Sequence, residues 1–173
     1  MYRLFVPKQA VGASLVYFDL FNAIGSTLDL YLTACQPVVS GEAAVTGVLG
    51  VDLFLTRTTA VGTGGTAATA NGATLTACTI TGANNSHPLP PSVTARLTPS
   101  GGATAGAVLS WTSVFTEETT GGTYTPSIDL AKLGHGEAPD ILIPQGSGIR
   151  VVQGGVASVG NIGFNVIFRT AQR

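Results

Sequence analysis

Charge is scarce in this chain. Of 173 residues only 10% are Asp, Glu, Lys or Arg, and the net charge is −1; ordinary globular domains carry roughly 25%. No basic patch or acidic run is present to recruit nucleic acid or an anionic membrane surface. Nor is there a run of the ~18 apolar residues that a membrane-spanning helix requires. The stretch ASLVYFDLFNAIG is interrupted by Asp19 and Asn22. The start, MYRLFVPK, lacks the layout of a secretion signal. Cysteine is almost missing as well. Cys35 and Cys78 each sit in an alternating pattern, LYLTACQP and TLTACTIT. They read as buried free thiols of a reducing compartment, a disulfide between the two being the alternative.

Glycine, proline and β-formers fill the space left by charge. There are 23 Gly and 9 Pro, clustered in SHPLPP, TPSGGATAG, TTGGTYTP and PQGSG, where they punctuate short apolar runs. Those runs alternate with period 2, the signature of strands with one buried face. In SVTARLT, Val93, Ala95 and Leu97 share a face. In VLSWTSVF, Leu109, Trp111 and Phe115 share a face, which predicts a core position for Trp111. In FNVIFRT, Phe164, Val166 and Phe168 oppose Asn165 and Arg169. Further strands are expected at Tyr2–Pro7, Ser14–Phe21, Leu28–Cys35, Gly47–Thr58, Thr74–Thr81, Ser127–Leu130, Asp140–Pro144 and Gly148–Gln153. The aromatics Tyr17, Phe18, Phe21, Phe54, Trp111, Phe115, Phe164 and Phe168 are all expected in the core. Gly146 and Gly148 are expected to take positive φ in the turn between two late strands. No segment combines a 3.6-residue period with helix caps; SIDLAKLGHG has room for one turn. The expected fold is all-β: a two-sheet antiparallel sandwich of jelly-roll type with about ten strands and little or no helix. It forms one domain over 1–173, with an N-terminal contact arm at 1–12.

One motif invites an enzymatic reading. GTGGTA, Gly62 to Ala67, fits a loose dinucleotide-loop pattern and follows the strand-like GVLGVDLFL. The phosphate site also needs a helix opening at the loop and an acidic residue about 20 positions on. Here a second strand follows instead, and no Gly-Lys-Ser/Thr is present. The segment therefore reads as a surface connection. His135 with Glu137 and Asp140 matches no known ligand spacing, and His87 precedes a proline in a turn. Glu117 and Glu118 are neighbours, so on a strand they point to opposite faces. No catalytic, cofactor-binding or metal-binding residue is assigned, and no cofactor is expected.

Three stretches carry a resemblance: VDLFLTRTTAVGTGGT, then SVTARLTPSGGATAGAVLSWTSVFTEETTGGTYTP, then IPQGSGIRVVQGGVASVGNIGFNVIFR. Together they span roughly Gly47 to Arg169. They resemble small β-sandwich or jelly-roll virion proteins of tailed bacteriophages. The resemblance implies a non-enzymatic capsid decoration (cement) protein, commonly a homotrimer, seated on the capsid surface against the major capsid protein after assembly in the host cytoplasm. It carries over no functional residue. A tail, neck or fibre component, including a receptor- or glycan-binding sandwich, is the alternative; Tyr124 is the one loop aromatic that would serve it.

Composition points to assembly independently. A mean hydropathy of +0.39 with so few charges suggests that partner subunits cover part of the surface. Residues 1–8 and the loop Thr58–Thr74 are the expected contact elements. Direct contact with nucleic acid or membrane is not expected.

Overall fold

A computed structural model describes residues 1–40, 49–67, 69–70, 73–74, 90–102, 104–116, 128–133 and 140–173. Among the described residues, period-2 alternation becomes twelve strands: β1 (Tyr2–Ala10), β2 (Val16–Asn22), β3 (Leu28–Ser40), β4 (Leu49–Thr58), β5 (Thr66–Ala67), β6 (Thr69–Ala70), β7 (Ala73–Thr74), β8 (Val93–Leu97), β9 (Ala105–Thr116), β10 (Ile141–Ile143), β11 (Ser147–Gln153) and β12 (Asn161–Gln172). One sheet has the order β1-β12-β3-β10. The other has β5-β8-β2-β11-β4-β9, and among the described residues β6 has β7 as its strand partner. All pairings are antiparallel.

Without the short inserted strands β5 to β8, the remaining eight nest. β1 pairs with β12, β2 with β11, β3 with β10 and β4 with β9. The chain is thus a long hairpin rolled into two facing sheets, which is the jelly roll. The insertion leaves after β4 and adds β8 and β5 beyond β2, on the far side of the six-stranded sheet.

The two inner faces make the core. Leu4, Val6, Phe164, Val166 and Phe168 of one sheet meet Phe18, Leu20, Leu53, Leu55, Ile149 and Val151 of the other. Phe164 sits at the centre, its ring 5.1 Å from that of Tyr17 and 5.8 Å from that of Phe18. Two consecutive residues reach one ring because the strand is bulged there. Val151 pairs with Phe18 and Val152 with Val16, so Tyr17 is the extra residue and turns inward. Its hydroxyl donates to Gln153 Oε1 at 2.9 Å, which satisfies two buried polar groups at once.

Several expectations change. Within the expected contact arm at 1–12, residues 2–10 are the edge strand β1, and Tyr2, Leu4 and Val6 are in the core. Of the expected strand Ser127–Leu130, Ser127 lies outside the described residues and the rest belongs to a turn over residues 128–133. Asp129 Oδ1 accepts from the N–H of Cys35 and of Ala131, and this seats Leu130 in the core. Gly146 has φ 70 as expected. Gly148 is needed for closeness instead, since a Cβ there would lie 2.6 Å from Leu20 O and 2.8 Å from Phe21. Cys35 is a buried free thiol. Cys78 and the expected strand Thr74–Thr81 lie, apart from Thr74, outside the described residues.

Trp111 and Phe115 correct the core assignment: they are 59% and 49% exposed. Strand β9 takes its phase from β4. Val51, Leu53 and Leu55 of β4 are buried, and they pair with Val114, Thr112 and Ser110. The aromatic row of β9 is left on the outer face, with Phe54, itself only half-buried. Leu109 falls at a break in register between Ser110 and Val108, which ends the alternation that linked it to Trp111.

Candidate functional site

The outer face of the six-stranded sheet divides into a covered half and a bare half. To reach β8 from β4, the chain must cross β11 and β2 on the outside. It returns the same way from β8 to β9. The two legs, residues 59–65 and 98–102, lie together: Thr63 N–H donates to Gly101 O at 2.6 Å, and Ser100 N–H to Thr63 O at 3.0 Å.

Beneath the legs lies Asp19, 1% exposed in the middle of β2. Its Oδ2 accepts from Gly62 N–H at 2.6 Å and its Oδ1 from Arg96 N–H at 3.1 Å. Burial pushes the carboxyl above its ordinary value. The two N–H donors and the charges of Arg96 and Arg150 pull it back in part. Arg96 also reaches Gly64 O at 3.0 Å and so pins the loop from the side. The glycine-rich segment does bind an anion, then, but the anion is the chain's own carboxylate. A Cβ on Gly62 would run into Asp19 Oδ2 and lie 2.7 Å from Pro99. Residues 59–65 of the expected contact loop Thr58–Thr74 lie on their own sheet.

Beside the legs a cleft of about 280 Å³ remains, lined by Ser14, Leu15, Val16, Pro99, Ser100, Gly101 and Arg150. Arg150 Nε stands 3.4 Å from Thr56 Oγ1. Ser14 and Thr98, at φ 58 and 44, are the non-glycine residues with positive φ among those described. One lines this cleft and the other adjoins it. Two hydroxyls and a guanidinium give the cleft hydrogen-bonding capacity. They supply no nucleophile paired with a base, which acyl or glycosyl transfer would need.

The bare half lies beyond Val152, which pairs with Val16 of the cleft on one side and with Phe54 on the other. Phe54 and Trp111 stack, with ring centroids 6.3 Å apart and planes at 24°. Phe115 stands opposite Gly50 four pairs further on, on the same face. Between the aromatics, Ser113 Oγ–H donates to Asp52. The surface is thus a flat aromatic strip with one carboxylate.

The sequence-level suspects fall elsewhere. Asp140 is held by Arg169 at 2.8 Å and Lys132 at 3.2 Å, and those partners, Arg169 first, lower its carboxyl. His87, His135, Glu137, Glu117, Glu118 and Tyr124 lie outside the described residues. Among the described residues no group of three His, Cys, Asp or Glu could hold a metal, and no helix is long and apolar enough to cross a membrane.

In comparisons with known proteins, no family model, no curated protein and no solved structure matches this chain.

Proposed function

We propose that the protein is a non-enzymatic structural subunit that works by docking, and that its setting is a tailed-phage virion, most simply as a capsid decoration protein. One observation carries the docking role: the bare strip of Phe54, Trp111 and Phe115 on an edge of the sandwich. Exposed Trp and Phe on an uncharged strand gain most from burial and lose least by desolvation. The jelly roll, an architecture shared by many capsid proteins, and the wording of Gly47–Arg169 support the virion setting. The reading gives the subunit two partners, the major capsid protein and further copies of itself.

The test is to mix the purified protein with empty capsid shells and image them. Added density at regular positions on the shell, lost with Trp111→Ala, is the expected result. Bare shells at saturating protein overturn the decoration role.

A second reading has one observation behind it. Trp111 stacked on Phe54 beside the Asp52–Ser113 pair offers a ring face and hydroxyl acceptors side by side, the combination a pyranose requires. Binding to a glycan array that Trp111→Ala abolishes would move the protein to a fibre-type, receptor-binding role.

A further inference from the structure

Among the described residues the two large sheets have four edges, and three of them are guarded. β1 carries Arg3, Pro7 and Lys8 and shifts register between Val6 and Gln9. β10 has three residues, with the ion-paired Asp140 before it and Pro144 after it. β5 has two residues. Short length, charge, proline and bulges are the means by which natural sheets keep their edges from pairing with other strands. β9 is different. It runs twelve residues, AGAVLSWTSVFT, without a charge or a proline. From Ser110 to Thr116 its ladder with β4 is regular, and among the described residues β4 is its one strand partner. Its outward N–H and C=O groups form a ready template for another strand.

We propose that this edge pairs, antiparallel, with the same edge of a second copy, about a two-fold axis through Ser113. This rests on the reading of the protein as a self-associating subunit and adds the surface and the symmetry. Three observations select a second copy as the occupant. The strand is uncharged, so self-pairing sets no like charges face to face. The regular segment 110–116 has Ser113 at its middle, so the whole segment pairs with itself: 110 with 116, 111 with 115, 112 with 114. That register places Trp111 opposite the partner subunit's Phe115 and Phe115 opposite the partner subunit's Trp111, all on the outer face. The two most exposed rings of the strand thereby become two cross-strand aromatic pairs. The six-stranded sheets of both copies join into one. A two-fold contact uses the same patch twice and closes at a dimer, which departs from the trimer that the resemblance implies.

The experiment is sedimentation of wild type, Trp111→Lys and the double variant Trp111→Lys/Phe115→Glu, with circular dichroism to show that each is folded. Wild type is expected at twice the monomer mass. Trp111→Lys should weaken self-association about 100-fold or more, as loss of a buried aromatic anchor does. The double variant should recover to within about 10-fold of wild type, because this register alone sets each new lysine against the partner's new glutamate. Ser113→Cys in a Cys78→Ser background should cross-link two copies on oxidation, since directly paired residues have Cα atoms about 4.5–5.5 Å apart. An oligomer indifferent to Trp111→Lys, or no recovery in the double variant, overturns pairing at β9 and leaves the docking role standing. A monomer that still binds shells through Trp111 assigns the edge to a foreign strand and overturns self-pairing alone. A monomer that binds no shell overturns both.

Discussion

Gly62 donates its backbone N–H to Asp19 across a sequence gap of 43 residues, at 2.6 Å and out of reach of water. That bond ties the inserted loop to the sheet it crosses.

Gly62→Ala is expected to cost about 1–3 kcal/mol, the usual range for a methyl forced into filled space. Gly155→Ala makes the matched control: nothing lies within 4 Å of its would-be Cβ, and a compatible Gly→Ala change stabilises by about 0.4–1 kcal/mol. Urea denaturation of the two variants should move the midpoints in opposite directions.

Core and surface aromatics should separate cleanly. Phe164→Ala, at the centre of the ring cluster, should cost about 3–5 kcal/mol. Trp111→Ala should cost no more than about 1.5 kcal/mol, since it loses one stacking partner and little burial in the isolated subunit. At low concentration the indole should emit at a wavelength typical of solvent contact. A Trp111→Ala loss as large as that of Phe164→Ala would place the indole in the core after all.

Two carboxylates should give opposite pH signatures. Burial raises Asp19 above its ordinary 3.8, so the folded chain holds that proton more tightly than the unfolded chain. Its contribution is most favourable below 3.8 and is lost as pH rises through the folded value. Asp140 is lowered, chiefly by its hydrogen bond from Arg169. Its contribution is present above 3.8 and is lost as pH falls through the folded value. Relative to wild type, Asp19→Asn should therefore gain stability as pH rises from 3 to 7, and Asp140→Asn should lose it. Denaturation curves across that range would expose a wrong sign in either case.

Cys35 should be inert in the folded protein. It is fully buried, and desolvation, with the charge of Asp129 beside it, pushes its thiol up, while only the thiolate reacts. In a Cys78→Ser background, labelling by an aromatic disulfide reagent should proceed at the rate of unfolding. Fast labelling without denaturant would show that the β3 region opens on its own.

The fold was legible because long-range order left a local mark. Val93, Ala95 and Leu97, and Phe164, Val166 and Phe168, alternate cleanly and are buried as the alternation requires. The phase of β9 was not legible. Both of its faces are apolar enough to be core, and the choice between them was made by Val51, Leu53 and Leu55 on another strand. The covered site left a single trace, the charge of Asp19 inside LVYFDLF. Its partners Gly62, Arg96 and Arg150 come from segments up to 131 positions away in the sequence, a proximity that only the rolled topology creates.

The nested hairpin also sets a timetable. Tyr2 pairs with Phe168, so β1 leaves the ribosome long before the strand it takes as its neighbour. At about 5–20 residues per second, synthesis leaves β1 waiting on the order of ten seconds for β12. Through that interval Leu4 and Val6 have no sheet to join, and β2 and β3 likewise wait for partners from the second half of the chain. The nascent protein must therefore be shielded or kept dilute until β12 is made, and its yield in cells should follow the supply of chaperones that bind extended apolar segments more closely than it follows the stability of the finished sandwich.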